Sequence, residues 1–215
     1  MLYDDVFSKT NGWIAIDGVA EGLIALADAL KATSLMAVKE LQRQGLEVIM
    51  LTGDNERTAE NIAREVGIRR FFAQVRPEDK TKKIKEIQQK TGQLVAMVGD
   101  GINDAPALAQ ADVGFAIGTG TDVAIASSDI TLISGDLQSI VSAIKLSRAT
   151  MANIKQNLFF AYIYNVIGIP IAAGVFYPLF GILLNPIIAG AAMAFSSVSV
   201  VTNALRLKKF KSQLT

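Results

Sequence analysis

The sequence contains no cysteine and no histidine, and each absence excludes a kind of site. Without cysteine there is no disulfide and no thiolate metal site. Without histidine the chain lacks the commonest proton shuttle and the commonest ligand for borderline metals. The 21 basic and 20 acidic residues give a net charge of +1. This near-neutral mixture argues against a nucleic-acid-binding protein, which would carry a basic patch.

Charge is also absent from one long stretch, between Gln156 and Leu205. All 20 acidic residues precede this stretch, and the four basic residues that follow it are Arg206, Lys208, Lys209 and Lys211. The chain is 51% hydrophobic and has a mean hydropathy of +0.35, which is high for a purely soluble domain. A stretch of this length has room for two transmembrane helices of about 20 residues each.

We therefore expect residues 151–215 to form a transmembrane hairpin with a basic cytoplasmic tail. The spans would lie at about 158–176 and 186–205, in contact with membrane lipid, and the connector between them contains proline, glycine and asparagine, which favour turns. Basic residues flank the two spans and are absent from the connector, so the positive-inside bias places both termini in the cytoplasm. The alternative is a buried helical hairpin in a soluble protein, which would normally show a polar face.

The preceding part of the chain alternates short apolar runs with helical patterns, which predicts an α/β fold with a largely parallel sheet. The predicted strands are Trp13–Ile16, Glu47–Leu51, Phe71–Ala73, Leu94–Val98, Val113–Ile117 and Ile130–Ile133. The predicted helices lie near Thr33–Gln44, Glu56–Val66, Pro77–Lys90, Asp104–Gln110 and Val123–Ser127. In such sheets ligands bind outside the carboxyl ends of the strands.

Two of these strand ends carry small and polar residues that suit a phosphate site. One strand leads into Thr52-Gly53-Asp54, and another leads into the string GDGIND over residues 99–104. Asp100 and Asp104 are four residues apart around a glycine turn, and their oxygens would suit Mg²⁺. A strand followed by Gly-Asp-Gly can instead be a structural turn.

Lys80 opens the predicted helix that precedes the second of these strands. A point charge at this position could neutralise a phosphoryl oxygen, as phosphoryl transfer requires. The alternative is an ordinary lysine on a solvated helix face, which is what we expect for Lys82, Lys83 and Lys85.

Three strings together resemble the P domain of P-type ATPases, which are members of the haloacid-dehalogenase-like group. They are Thr52-Gly53-Asp54, Pro77-Glu78-Asp79-Lys80 and VGDGINDAPALAQADVGFAIGTGTDVAIASSDITLI over residues 98–133. The resemblance runs from about residue 13 to Lys209. It implies that residues 1–150 are the C-terminal part of a Rossmann-like, haloacid-dehalogenase-type P domain.

The resemblance implies a catalytic role for each matching residue. Thr52 would bond the phosphoryl group, Gly53 would give the backbone close access to it, and Asp54 completes the motif. Lys80 would neutralise the phosphoryl charge. A P domain of this kind works with ATP, which the intact pump would bind.

The resemblance also implies a magnesium site. Asp100 and Asp104 would bind Mg²⁺, and Asn103 would support them. Residues 118–121 would form a neighbouring loop. Residues 28–31 resemble the family's Asp-Pro-Leu-Lys/Arg stretch, although alanine replaces the proline.

Polar and thioether residues in the two expected spans resemble the membrane signatures of copper(I)-transporting P-type ATPases. They are Tyr164-Asn165 in the first span and Met193 with Ser196-Ser197 in the second. A soft thioether suits Cu(I), and polar residues inside a span tend to mark ion paths. The resemblance therefore implies a copper site made by Tyr164, Asn165, Met193 and Ser197. The alternatives are simple packing for the methionine and close helix contact for the serines.

The family's phosphorylated aspartate, in the motif Asp-Lys-Thr-Gly-Thr, does not occur in this sequence. Asp79-Lys80-Thr81 begins like the motif but does not continue it, and Asp17-Gly18 is more typical of a tight turn than of a nucleophile. The family's nucleotide-binding domain, its Thr-Gly-Glu loop and its Cys-Pro-Cys membrane site are also absent. Because covalent catalysis needs its nucleophile, we expect the chain alone neither to form a phosphoenzyme nor to pump copper.

These observations favour the C-terminal part of an ATP-driven copper(I) export pump. We expect it to be a multi-pass protein of a bacterial plasma membrane. Its partners would be the N-terminal part of the pump, with the nucleotide-binding and actuator domains and the other membrane helices, and a copper chaperone. A second candidate is a non-catalytic membrane-anchored accessory or partner subunit of a metal pump. A third, a membrane-anchored phosphatase, is disfavoured by the missing nucleophile. A neighbouring reading frame that encodes Cys-Pro-Cys and Asp-Lys-Thr-Gly-Thr would separate the first candidate from the second.

Overall fold

A computed structural model of the chain describes residues 10–26, 30–100, 102–118, 122–181 and 185–210. Gly101 and parts of the predicted segments 28–31 and 118–121 therefore lie outside the described residues. The described chain divides into two compact units, one up to Val141 and one from Ser142 onward.

The strands of the first unit are β1 (Thr10–Ile16), β2 (Val19–Leu26), β3 (Ile49–Leu51), β4 (Arg70–Phe72), β5 (Ala96–Gly99), β6 (Val113–Ile117) and β7 (Ile130–Leu132). The helices are α1 (Ala32–Arg43), α2 (Glu56–Val66), α3 (Pro77–Thr91), α4 (Ala105–Gln110), α5 (Asp122–Ala126), α6 (Gln138–Ala172), α7 (Tyr177–Phe180) and α8 (Pro186–Arg206). Short 3₁₀ turns cover Ile102–Asp104 and Leu207–Lys209.

The first two strands form an antiparallel hairpin and not part of a parallel sheet. Asp17 and Gly18 connect them, with φ angles of 51° and 82°. Two consecutive positive φ angles are typical of a two-residue hairpin turn. The tight turn predicted for Asp17-Gly18 is thus confirmed, and the strand β2 is an addition that the sequence pattern did not predict.

The other strands confirm the predicted parallel α/β architecture. β3 pairs in parallel with β4, and β5, β6 and β7 form a parallel three-stranded sheet in that order. β3 and β5, which carry the two candidate strand ends, belong to different sheets among the described strands. Their carboxyl ends are where ligands are expected in such folds.

Local signals fix the helices that position these strand ends. α2 begins where the side chain of Asn55 accepts a hydrogen bond from Thr58 N at 2.9 Å, which satisfies a free helix donor. It ends at Gly67, whose φ of 79° suits a left-handed cap. α3 has Pro77 at its start and buries Ile84 and Ile87 on one face, and proline is favoured there because the first N–H has no helical partner.

The predicted transmembrane hairpin, with spans at about 158–176 and 186–205, is wrong. Across the part of the chain that the structure describes, no helix combines the length and the apolar character needed to cross a membrane. A span requires about 20 predominantly apolar residues. α6 ends at Ala172, short of the expected boundary, and includes two asparagines in its second half, at 157 and 165. Serine, threonine and asparagine side chains likewise recur in the second half of α8.

Candidate functional site

The segment Thr52-Gly53-Asp54 forms a closed turn at the end of β3. Thr52 Oγ1 donates a hydrogen bond to Asp54 Oδ2 at 2.7 Å, and Asp54 N donates to Thr52 Oγ1 at 3.1 Å. Thr52 N donates to Phe72 O at 3.0 Å, which continues the pairing with β4. The threonine hydroxyl is therefore oriented by its own turn and by the sheet.

The chain after β4 supports this turn from the other side. Gln74 N donates to Asp54 O at 2.8 Å, and Val75 N donates to Thr52 O at 3.0 Å. Gln74 has a φ of 53°, which is uncommon for a residue other than glycine. An ideal Cβ at Gly53 would lie 3.7 Å from Val75 O, an ordinary contact. Packing therefore does not require glycine at position 53, and its role in giving a phosphate close access stays a prediction.

Lys80, in the first part of α3, forms an ion pair with Asp104. Lys80 Nζ lies 2.6 Å from Asp104 Oδ1, and only 17% and 11% of the two side chains are exposed. Lys82 provides a contrast, since its side chain is 74% exposed and pairs with Asp79. Lys80 is thus not the solvated lysine of the alternative interpretation, whereas Lys82 fits that description.

Asp104 ends the 3₁₀ turn that follows β5, and it is buried. Its second oxygen faces the backbone of Gly99: an ideal Cβ there would be 2.8 Å from Asp104 Oδ2 and 2.7 Å from Asp104 Cβ. Real Cβ atoms do not approach other atoms so closely, so only glycine fits at position 99 without a shift. Asp104 is therefore held between Gly99 and Lys80, and it orients the lysine.

Asp100 and Asn103, the other candidates on this loop, are exposed. Within the described ranges, no three or more acidic side chains come together as a group that could hold a metal ion. A single accessible carboxylate still fits magnesium, which often takes one or two protein carboxylates and completes its shell with water and phosphate oxygens. The assignment of Asp100 and Asp104 to Mg²⁺ stays a prediction.

The structure brings Lys80 and Asp104 together, and it builds Thr52 and Asp54 into one turn. The contacts of Gly99 and of Gln74 were not predicted. A glycine directly before Asp-Gly was visible in the sequence, but nothing local indicates which side chain fills the space beside it. Together these groups offer a hydroxyl, a fixed ammonium group and an exposed carboxylate, which are the kinds of group that bind a phosphoryl oxygen and its metal ion.

The residues predicted to bind copper lie on α6 and α8. Asn165 Nδ2 donates to Ala161 O at 3.0 Å, and Ser197 Oγ donates to Met193 O at 3.3 Å. Both polar side chains thus bond to the backbone of their own helix. Tyr164 and Met193 are exposed, Met193 by 73%. The copper assignment of these four residues stays a prediction.

Comparisons with known proteins identify what the chain as a whole is similar to. Residues 6–112 match the family model described as haloacid dehalogenase-like hydrolase. The probable copper-transporting ATPase PacS of Synechocystis sp. is 72% identical over 202 residues, which cover 94% of this chain and 27% of that protein. The copper-exporting P-type ATPase of Legionella pneumophila is 56% identical over 197 residues, which cover 92% of this chain and 27% of that protein.

A solved structure extends the likeness to the fold. The crystal structure of a zinc-transporting PIB-type ATPase in its E2.Pi state matches with a TM-score of 0.79 at 38% identity, and the match covers 96% of this chain and 32% of that one. This chain thus spans 27% of the length of the two curated relatives.

Proposed function

We propose that this chain, which is homologous to the P domain of copper-exporting P-type ATPases, supplies the phosphate-binding half of the phosphorylation site of a copper pump. The observation that carries the proposal is the enclosed Lys80–Asp104 pair beside the end of a parallel strand. The other groups of the site are consistent with the same role.

Lys80 is suited to binding a phosphoryl oxygen. An ammonium group has three donors, and Asp104 takes one of them at 2.6 Å. The carboxylate holds the lysine in place, so the remaining donors are oriented before a phosphate arrives. Preorganised donors of this kind stabilise developing charge with little reorganisation.

Thr52 would add a second donor. Its hydroxyl hydrogen points to Asp54 Oδ2 in this structure, while its oxygen accepts from Asp54 N. Rotation of the hydroxyl would transfer its hydrogen bond from Asp54 to a phosphoryl oxygen, and the backbone bond to Asp54 N would keep the oxygen in position.

Asp100, which is exposed directly after β5, would hold Mg²⁺ together with Asp104, and Asn103 would support them. When bound, the metal ion would neutralise charge on the phosphate oxygens. The nucleophilic aspartate would come from a segment outside these 215 residues, because Asp-Lys-Thr-Gly-Thr does not occur among them. Copper as the transported ion, and Tyr164, Asn165, Met193 and Ser197 as its ligands, belong to the same proposal.

Phosphorylation with labelled ATP and Mg²⁺ tests the proposed site. The purified chain alone should acquire no acid-stable, hydroxylamine-sensitive label. Mixing it with the remaining part of the Synechocystis relative should restore the label. Lys80→Ala should then reduce the label strongly, whereas Lys82→Ala, which alters an exposed lysine of the same helix, should leave it unchanged.

A label on the chain alone, or equal effects of the two lysine substitutions, would contradict the proposal. Failure of the mixture to form a phosphoenzyme, with both parts folded, would favour a non-catalytic accessory role. In the reconstituted pump, Met193→Ala should reduce copper-stimulated ATP hydrolysis, and Met151→Ala, at another exposed methionine, should not. Equal stimulation in the two variants would remove Met193 from the copper site.

A further inference from the structure

Three asparagines join α6 to α8 through a closed ring of hydrogen bonds. Asn153 Nδ2 donates to Asn203 O at 2.8 Å, Asn203 Nδ2 donates to Asn157 Oδ1 at 2.9 Å, and Asn157 Nδ2 donates to Asn153 Oδ1 at 3.1 Å. Asn153 and Asn203 are only 8% and 6% exposed. We call these three residues the asparagine ring.

The direction of every bond in the asparagine ring is fixed by one backbone group. The oxygen and nitrogen of an amide side chain are normally hard to distinguish. The carbonyl of Asn203 can only accept, so Asn153 must present its nitrogen to it. The oxygen of Asn153 then faces Asn157, which must donate in turn, and this leaves the oxygen of Asn157 to accept from Asn203.

This carbonyl lies in the last turn of α8. The last four carbonyls of an α-helix have no partner within the helix, and α8 ends at Arg206. The N–H groups at its C-terminal cap donate to Ala204 O and Leu205 O as the chain tightens into a 3₁₀ turn. Asn153 therefore bonds to a backbone carbonyl in the last turn of the opposite helix.

We propose that the asparagine ring is a latch that fixes the register of α6 against α8. Other partly buried residues of α8 on the same side include Ser196, Ser199 and Val200. Such small or aliphatic side chains discriminate little between neighbouring registers, whereas the ring closes in only one. A slide of one turn, about 5.4 Å, would break the two bonds that join the helices, from Asn153 to Asn203 O and from Asn203 to Asn157. It would leave those amide groups buried without these partners, which is costly.

The latch also determines which residues of α6 and α8 face each other farther along the two helices. Tyr164 is seven residues after Asn157, and Ser196 is seven residues before Asn203. Seven residues are close to two full turns, so each residue shares a helix face with its ring member. Opening the latch would therefore change which residues of α6 and α8 face each other, whichever ion the protein handles.

Cysteine cross-linking in the full chain tests the latch, because the natural sequence contains no cysteine. Ala161 follows Asn157 by four residues and Ser199 precedes Asn203 by four, so Ala161→Cys with Ser199→Cys reports the latched register. Ala161→Cys with Ser196→Cys reports a slide of about one turn. The ratio of the two cross-links is the measured quantity, since thiol ionisation affects both pairs alike.

Asn153→Asp gives the decisive variant because a carboxylate cannot donate to Asn203 O. At neutral pH the ratio should fall by about tenfold. When the introduced carboxyl group is protonated it can donate again, so the ratio should recover as the pH is lowered. Asn165→Asp is the matched control on the same helix: its side chain bonds only within α6 in the described structure and is exposed, so this change should leave the ratio intact at every pH.

Two results would overturn the latch. An unchanged ratio in Asn153→Asp would mean that packing alone sets the register, and a fall without recovery in acid would mean that Asn153 is not the donor. If Asn153→Asp loses its helical structure at neutral pH, far-UV circular dichroism replaces the ratio. Helicity that returns as the pH falls would then support the latch, and helicity that stays lost would refute it.

Discussion

Replacing Lys80 with methionine removes an ammonium group that lies 2.6 Å from Asp104 Oδ1 and leaves a buried carboxylate without its partner. The Coulomb attraction across this distance is about 6 kcal/mol at an effective dielectric constant of about 20. Desolvation of the two ions offsets several kcal/mol of that attraction. We therefore expect a net coupling of about 2 kcal/mol between the two side chains.

A double-mutant cycle measures this coupling. Lys80→Met and Asp104→Asn should each lower the free energy of unfolding by about 3 kcal/mol, since each leaves one enclosed charge unpaired. The double variant should lose about 2 kcal/mol less than the sum of the single losses. Asparagine is nearly isosteric with aspartate, so Asp104→Asn keeps the close packing against Gly99.

Urea unfolding of the full chain, followed by far-UV circular dichroism, gives the four free energies. The pair Lys82–Asp79 is the control, with a similar distance of 2.8 Å but with side chains 74% and 41% exposed. Solvent and salt screen such a pair, so its cycle should show no measurable coupling. If the losses in free energy of unfolding at Lys80 and Asp104 simply add, or if the coupling is no larger than in the control pair, burial does not strengthen this ion pair.

Two further predictions concern packing and pH. Gly99→Ala should lower the free energy of unfolding by about 1–3 kcal/mol because its new Cβ would meet Asp104. Gly53→Ala should change that free energy by less than about 0.5 kcal/mol. Equal urea midpoints for the two variants would contradict this. Hydrogen bonds from the Gln88 side chain and from Val95 N hold the pKa of Asp112 below its usual value. The stability that this gives is present above the usual carboxyl pKa and is lost as the pH falls through the lowered value. Asp112→Asn should make the melting temperature depend less on pH in this acid range. An unchanged pH dependence would mean that Asp112 does not cause the effect.

Much of the first unit follows from local sequence signals. The bounds of α2 and β6 coincide with the predicted Glu56–Val66 and Val113–Ile117. α2 has an asparagine at its start, whose side chain satisfies a free backbone N–H, and a glycine at its end, which terminates the helix. β2 was missed because its apolar run is interrupted by glutamate and glycine, which are unfavourable in strands. Pairing with β1 makes this segment a strand in spite of those residues.

The contacts of the site could not be predicted in the same way. Lys80 and Asp104 are 24 residues apart and belong to different elements, so their pairing depends on how α3 packs beside the end of β5. The sequence predicted that both residues matter for a phosphate, but not that one would orient the other. The left-handed conformation of Gln74 had no local signal, since glutamine does not favour it.

The error over the second unit has a physical cause. A stretch without charged residues is not necessarily apolar, because amides and hydroxyls are uncharged and still polar. Asn157 and Asn203 lie in this uncharged stretch, and in the structure they make hydrogen bonds between α6 and α8. Their amide groups need partners wherever they are buried. Uncharged polar residues therefore carried information about helix pairing that the count of charges did not contain.

The site and the asparagine ring share one property that bears on the proposed function. In each, a donor is oriented by an acceptor distant in sequence, Lys80 by Asp104 and Asn153 by the carbonyl of Asn203. The lysine is thus oriented although the motif Asp-Lys-Thr-Gly-Thr does not occur in the sequence. Under the proposed function, such a chain would take its nucleophile from another segment, but it would not need that segment to set the Lys80–Asp104 geometry. It follows that the double-mutant cycle should give the same coupling before and after the remaining part of a relative is added. A coupling that arises only in the mixture would mean that the added segment builds the site.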